Sequence, residues 1–162
     1  MSELRTERLV LSPVAEDDAD FVLALLSDPG WLANIGDRDV RTVEQARAYI
    51  ADRFSASLWL VARDAGSGEP LGLCGVVAKR FGLEHSDLGY AFLACHSGRG
   101  YATEAARAVL AYALGPMGHA RMMAFTKLEN LPSQAVLLKI GFRREADRRL
   151  PDHEDDSAVF ST

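Results

Sequence analysis

The sequence predicts an α/β fold in which a central mixed β-sheet carries helices on its faces. Three observations predict it. Apolar runs over residues 58–63, 71–79 and 87–95 are joined by short polar segments, as in consecutive antiparallel hairpins. Beyond them, helical and strand-like segments alternate, the signature of βαβ units. Between the third apolar run and the next helix lies Ser97-Gly98-Arg99-Gly100-Tyr101-Ala102-Thr103-Glu104, a glycine-rich turn that leaves a strand and opens a helix.

Taken in order, residues 7–14 alternate apolar and polar side chains through Leu9 and Leu11, as a half-buried strand does. Glu16-Asp17-Asp18 places acids in a first helical turn, where the helix dipole favours them, and Phe21 with residues 23–26 supplies an apolar face. Ser27-Asp28-Pro29 ends that helix, and residues 31–41 read as loop. Thr42-Val43-Glu44-Gln45 is a capping box for a second helix reaching about Phe54. Two strands follow, joined by Gly66-Ser67-Gly68-Glu69-Pro70, and a third occupies residues 87–95. After the glycine turn, residues 103–114 form a helix that breaks at Gly115-Pro116. Residues 121–126 are a strand, residues 132–140 a short helix stopped by Gly141, and residues 142–144 and 157–160 a terminal strand pair. The expected order is β-α-α-β-β-β-α-β-α-β-β, in a single domain over residues 1–162 without repeat or linker.

Composition limits the partners. A chain of 162 residues that is 48% hydrophobic can bury a core of its own. Its formal charge of −5 argues against nucleic acid or an anionic membrane as main partner, and Arg143, Arg144, Arg148 and Arg149 read as a solvated edge. Cys74 and Cys95 sit in apolar stretches without metal-ligand spacing, so they are expected to be buried thiols of a reducing compartment, with no metal. The absence of a span or signal-peptide pattern points to a cytoplasmic protein.

The glycine turn carries the chemistry. At a helix start the first backbone N–H groups have no helical acceptor, and small residues let an anion approach them. The turn therefore reads as a phosphate seat. A P-loop would need Gly-x-x-x-x-Gly-Lys-Ser/Thr, which is not present. A dinucleotide turn would need a third glycine where Thr103 stands, and antiparallel strands precede this one. A coenzyme A pyrophosphate is the third reading. Gly89-Tyr90, seven residues, then Gly98-Arg99-Gly100-Tyr101-Ala102-Thr103-Glu104-Ala105 resembles the acetyl-CoA motif of the GNAT N-acyltransferases. Thr6-Glu7-Arg8-Leu9, Glu129-Asn130-Leu131-Pro132-Ser133 and Lys139-Ile140-Gly141-Phe142 resemble the first strand and closing motif of its Rim-type branch, which acetylates ribosomal-protein N-termini.

That resemblance implies a GNAT-like sheet and an N-acetyltransferase that uses acetyl-CoA as co-substrate. It implies pyrophosphate contacts from the amides of Gly98, Gly100 and Ala102, with Arg99, Tyr101 and Thr103 adding to them. Phe92 and Leu93 would bond the pantetheine arm through free strand amides, Leu93 N–H serving as oxyanion donor. Asn130 would bond the same arm or cap the next helix, and Ser133 would approach the sulfur or begin that helix. Many relatives carry a tyrosine acid seven residues after the asparagine; Leu137 stands there, so Ser133 or a water would protonate the thiolate. Asp87 is the candidate general base, with His85 as alternative. Trp31, Asn34 and Tyr90 are candidates for the acceptor site, and Lys127 and Lys139 for the 3′-phosphate of CoA.

The acceptor would be a primary amine, either a protein N-terminus or a small molecule, attacking directly in a ternary complex formed by a monomer or homodimer. Cys95 has no His–Asp support as an acyl carrier. Two rivals remain: a catalytically silent acyl-CoA-binding protein of the same fold, and a nucleotide-binding oxidoreductase.

Overall fold

The computed structural model describes residue 1 and residues 3–162. A nine-stranded mixed sheet runs through the described residues. Its strands are β1 (Leu4–Arg5), β2 (Leu9–Pro13), β3 (Leu58–Asp64), β4 (Pro70–Val77), β5 (Asp87–Phe92), β6 (Met123–Lys127), β7 (Arg143–Arg144), β8 (Arg148–Arg149) and β9 (Asp156–Ser161). Their spatial order is β1-β2-β3-β4-β5-β6-β9-β7, with β8 also on β9. Every pairing is antiparallel except β5 with β6, where a helical crossover reverses the rule.

The helices are α1 (Ala19–Leu26), α2 (Pro29–Asn34), α3 (Val43–Tyr49), α4 (Tyr101–Leu114) and α5 (Leu131–Lys139). Period-2 alternation sorts the strand residues onto two faces. Leu9, Leu11, Leu60, Ala62, Cys74 and Leu88 pack with Ala105, Val109 and Leu110 of α4 and Leu137 of α5. Val61 and Leu73, on the opposite face, pack with Val22 and Leu25 of α1, Trp31 of α2 and Ala46 of α3. Leu137 is therefore core, with no polar role.

Several local expectations are corrected. Ser27-Asp28-Pro29 ends α1 but also starts α2 (Pro29–Asn34), so the first part of the loop expected over residues 31–41 is helix. The Asp28 carboxylate accepts from Gly30 N–H at 3.0 Å, and Pro29 occupies a first-turn position that needs no N–H. The capping box at Thr42 forms as expected, with Gln45 N–H on Thr42 Oγ1 at 3.1 Å. The strand expected over residues 87–95 stops at Phe92, and Ala94–His96 turn as a 3-10 segment. Cys95 is consequently exposed, whereas Cys74 is buried as expected and its burial pushes the thiol up. The arginines of residues 143–149 edge the sheet with acidic partners: Arg144 meets Asp147, Arg148 meets Glu84 and Glu145, and Arg149 meets Asp156.

Around the Trp59 indole, glycine at positions 75 and 89 is a packing requirement. A Cβ on Gly75 would lie 2.2 Å from the Leu58 carbonyl oxygen and 2.8 Å from the Trp59 ring. A Cβ on Gly89 would lie 2.8 Å from the outer edge of the same indole. Neither contact relaxes without moving backbone or tryptophan. Gly75→Ala is expected to cost about 1–3 kcal/mol by overpacking, read as a lower Tm in thermal unfolding; an unchanged Tm would contradict the packing described.

Candidate active site

A cleft of about 1530 Å³ crosses the sheet where β5 and β6 part. The two strands are in register only at Asp87 and Met123, next to the Met123 N–H to Ser86 C=O bond of 2.9 Å. Beyond that point β6 stays with β9 while β5 stays with β4. The edge of β5 therefore faces the cleft instead of a neighbouring strand.

Which amides face it follows from the ladder. Leu93 N–H donates to Leu71 C=O at 3.0 Å, so Leu93 is not the free donor expected from sequence. Antiparallel bonding alternates, so Asp87, Gly89, Ala91 and Leu93 turn their backbone polar groups to β4. Tyr90 and Phe92 turn theirs toward the gap. The open donor lies one residue earlier, at Phe92.

The glycine turn meets this gap. Gly98 and Gly100 take φ of +76° and +79°, which side-chain-bearing residues rarely adopt. The first bond into α4 is Glu104 N–H to Gly100 C=O at 3.0 Å, leaving the amides before it without a helical partner. Gly98, Gly100, Tyr101, Ala102 and Thr103 all line the cleft, while Arg99 does not. The free amides, the dipole of a fourteen-residue helix and the open space beside Gly98 suit a pyrophosphate.

A clamp fixes the turn from outside. The Glu104 carboxylate accepts from Thr6 Oγ1 at 2.6 Å, Arg8 N–H at 2.8 Å and Arg8 Nε at 2.7 Å. Arg8 also donates to the Arg99 carbonyl at 2.8 Å and stacks on Tyr101 at 4.4 Å. Thr6 and Arg8 belong to the segment between β1 and β2, so the clamp joins the first strands to the glycine turn. Burial works against the Glu104 charge, but Thr6 and both Arg8 donors outweigh it and hold the carboxyl below its usual range.

Side-chain alternation along β5 then separates two chemistries. Tyr90 and Phe92 pack on the α4–α5 face, whereas Ala91 and Leu93 pack on the α1–α3 face. Tyr90, expected near the acceptor, instead points to α5: its hydroxyl lies 2.9 Å from the Ser133 carbonyl and 3.0 Å from Ser133 Oγ. Burial pushes the Tyr90 phenol up, keeping it protonated. Asn130 caps α5 by accepting from Ser133 N–H at 3.3 Å, which leaves its amide NH₂ for other partners.

Asp87 lies on the opposite face and is 1% exposed. Its oxygens receive Arg80 Nε at 3.0 Å and Arg80 Nη2 at 2.9 Å. Burial pushes the carboxyl up and the guanidinium opposes it in part, so the net direction is upward. His85, the alternative base, falls outside the cleft, in a separate pocket of about 210 Å³ with Glu84, Arg121 and Arg148.

Trp31 lines the cleft but is largely core, its indole N–H on the Gly36 carbonyl at 3.0 Å. Asn34 lines it from the end of α2, its amide bonded to Gly30 C=O. Lys127 and Lys139 line it too, and Lys127 Nζ reaches across to the Ala33 carbonyl at 2.8 Å. Sequence reasoning missed Arg80, Trp59 and Phe125. The pair of strand glycines, Gly75 and Gly89, was the available signal for a large side chain lying over them.

The acetyltransferase (GNAT) domain family matches residues 8–143. The chain belongs to the GNAT family. An uncharacterized N-acetyltransferase of Bacillus subtilis (strain 168), YnaD, is 32% identical over 151 residues, covering 88% of this chain and 83% of the relative. The structure of a GNAT-family acetyltransferase from Bacillus anthracis superposes with a TM-score of 0.83 at 28% identity, covering 99% of this chain and 97% of that one. The fold is also that of RimL, a ribosomal L7/L12 alpha-N-protein acetyltransferase solved with coenzyme A, with a TM-score of 0.84 at 15% identity and coverage of 99% and 97%. This GNAT protein is an acetyl-CoA-dependent acyltransferase. No helix of the described residues is long and apolar enough to cross a membrane.

The clamp gives a pH-dependent expectation. Because Glu104 has a lowered folded pKa, its stabilisation is present above the usual carboxylate range and is lost as pH falls through the lowered value. Glu104→Gln should therefore lower Tm at about pH 7 more than at about pH 3, and raise the KM for acetyl-CoA. Equal Tm losses at both pH values would show that the charge of Glu104 does not hold the turn.

Proposed function

We propose that this GNAT enzyme acetylates a primary amine by direct attack in a ternary complex within one catalytic domain. The observation that carries the reading is the meeting of the unpaired α4 amides with the parted edge of β5 in one cleft. An anion seat and a strand edge in continuity match a ligand with a pyrophosphate at one end and an amide-bearing arm at the other.

When bound, acetyl-CoA supplies an activated acetyl thioester. The amides of residues 98–103 hold its pyrophosphate, and the Asn130 NH₂ and the β5 edge hold the pantetheine arm. Phe92 N–H takes the oxyanion-donor role, because it points into the gap while Leu93 N–H is engaged by Leu71. Asp87 accepts the proton of the acceptor ammonium, directly or through a water. Each of its oxygens keeps a lone pair beside the Arg80 bond, and its upward-shifted pKa makes it a better base than an exposed aspartate. As the C–N bond forms and the C–S bond breaks, Ser133 Oγ or a water gives a proton to the departing sulfur and regains one from solvent in the cleft, while Tyr90 keeps its own proton on the Ser133 carbonyl and positions the serine. This pair occupies the functional place of the tyrosine that Leu137 replaces.

Two measurements test the reading. Saturating acetyl-CoA, at about 100 times Kd, is expected to stabilise the native state by about 2.7 kcal/mol, a rise of roughly 5–10 °C in Tm for a chain of this size. Thiol release with an amine panel is the second. Thermal stabilisation without release from any amine would favour the silent CoA-binding rival. Asp87→Asn should lower kcat by about a hundredfold or more with little change in the KM for acetyl-CoA, and Tyr90→Phe should lower kcat while Asn130 and the turn keep that KM. Retained kcat in either variant would remove the corresponding role.

A further inference from the structure

The acceptor end of the cleft is built from rings. On one side the Trp59 indole lies over Gly75 and Gly89, and Phe54 sits 5.4 Å from it. On the other, Phe81, Phe125 and His153 pack edge to face with centroids 5.0–5.8 Å apart. Arg80 stacks on Phe81 and Phe125 at 5.0 and 5.3 Å. Both groups line the same cleft and flank the strand segment that carries Asp87 and Gly89. The walls thus flank the proposed base with flat surfaces, the indole on one side and aromatic rings bearing the Arg80 guanidinium on the other.

The one buried carboxylate there is spent on an arginine, and the other lining carboxylates stand at the exposed rim. Asp87 is held by Arg80, Asp52 by Arg53 at 3.0 Å, and Asp39 meets Arg41 at 3.5 Å. Among the described residues, Asp152 is the one lining carboxylate without a cationic partner. A polyamine or aminoglycoside brings several ammonium groups and little apolar surface, so it needs several free carboxylates as it leaves water. Beside the proposed base the cleft does not offer them. An aromatic body, by contrast, finds stacking and edge contacts on two sides.

We propose that the acceptor is a monoamine carried on an aromatic body, seated between Trp59 and the Phe81–Phe125 pair with its nitrogen toward Asp87. The inference rests on the transferase reading above. Its chemistry has two sources, a free arylalkylamine or a chain N-terminus whose first residue is aromatic.

The test is thiol release from acetyl-CoA with phenethylamine, tryptamine, Phe-Ala amide, Ala-Ala amide, spermidine and kanamycin, together with acetyl-CoA thermal shift as a binding control. An aromatic acceptor is expected to exceed spermidine, kanamycin and Ala-Ala amide in kcat/KM by about tenfold or more. Preference for phenethylamine or tryptamine identifies the free amine as source, and preference for Phe-Ala amide the N-terminus. Trp59→Ala and Phe125→Leu should each raise the KM of the aromatic acceptor by about tenfold, leaving the KM and thermal shift of acetyl-CoA unchanged. Two variants on opposite walls guard against a folding defect in either one. Equal or better use of spermidine, kanamycin or Ala-Ala amide overturns the acceptor assignment while the transferase reading stands. No thermal shift and no thiol release with any amine overturns both.

Discussion

The structure depends on a contact that is not made. β5 and β6 are the only parallel neighbours among the described strands, and they are in register at a single pair, Asp87 with Met123. A continuous ladder would bury the β5 edge and seal the sheet. The parting leaves backbone groups of Tyr90 and Phe92 open, brings the α4 amides onto the same cavity, and opens a passage between the two faces. In a sheet interior an unpaired strand edge is costly. Its persistence is intelligible if a ligand with its own amides completes the ladder.

Around that gap, two constraints of elementary geometry distribute the chemistry. The period of two along β5 sends Tyr90 to α5, where it meets Ser133, and Asp87 to the opposite face, so the proposed acid Ser133 and base Asp87 approach from different sides of the sheet. Glycines at 75 and 89 on adjacent strands clear the floor on which Trp59 lies, giving the acceptor side its flat wall. Glu104, the last residue of the glycine motif, ties the turn to Thr6 and Arg8. A motif from the middle of the chain and one from its beginning are thus two halves of one set of hydrogen bonds.

The features legible in the sequence are those whose cause is local. Glycine turn, capping box and hairpin runs were readable because left-handed backbone, helix caps and alternation act over a few residues. Where local signals were ambiguous, the reading failed: Asp28-Pro29 marks a helix stop and a helix start equally well, and α2 was missed. Cys95 looked buried because its neighbours are apolar, yet the chain turns as a 3-10 segment there and exposes it. The sequence points to Leu93 N–H as a free strand amide, yet it is bonded to Leu71, because a one-residue step in a strand exchanges the hydrogen-bonding direction and only the partner strand fixes which amide is open.

The sequence by itself determined the donor half of this protein. A phosphate seat needs small residues at alternate positions with left-handed backbone before the helix, and Gly98, Gly100 and Ala102 carry that requirement in the chain itself. Tertiary structure alone decided the acceptor half. The rings of Trp59, Phe81, Phe125 and His153 come from four separate segments, and the pairing of Asp87 with Arg80 neutralises a carboxylate that in sequence looks free. Such surroundings depend on which strands pair and in what register, and burial is a property of the assembled sheet that no short stretch of residues possesses.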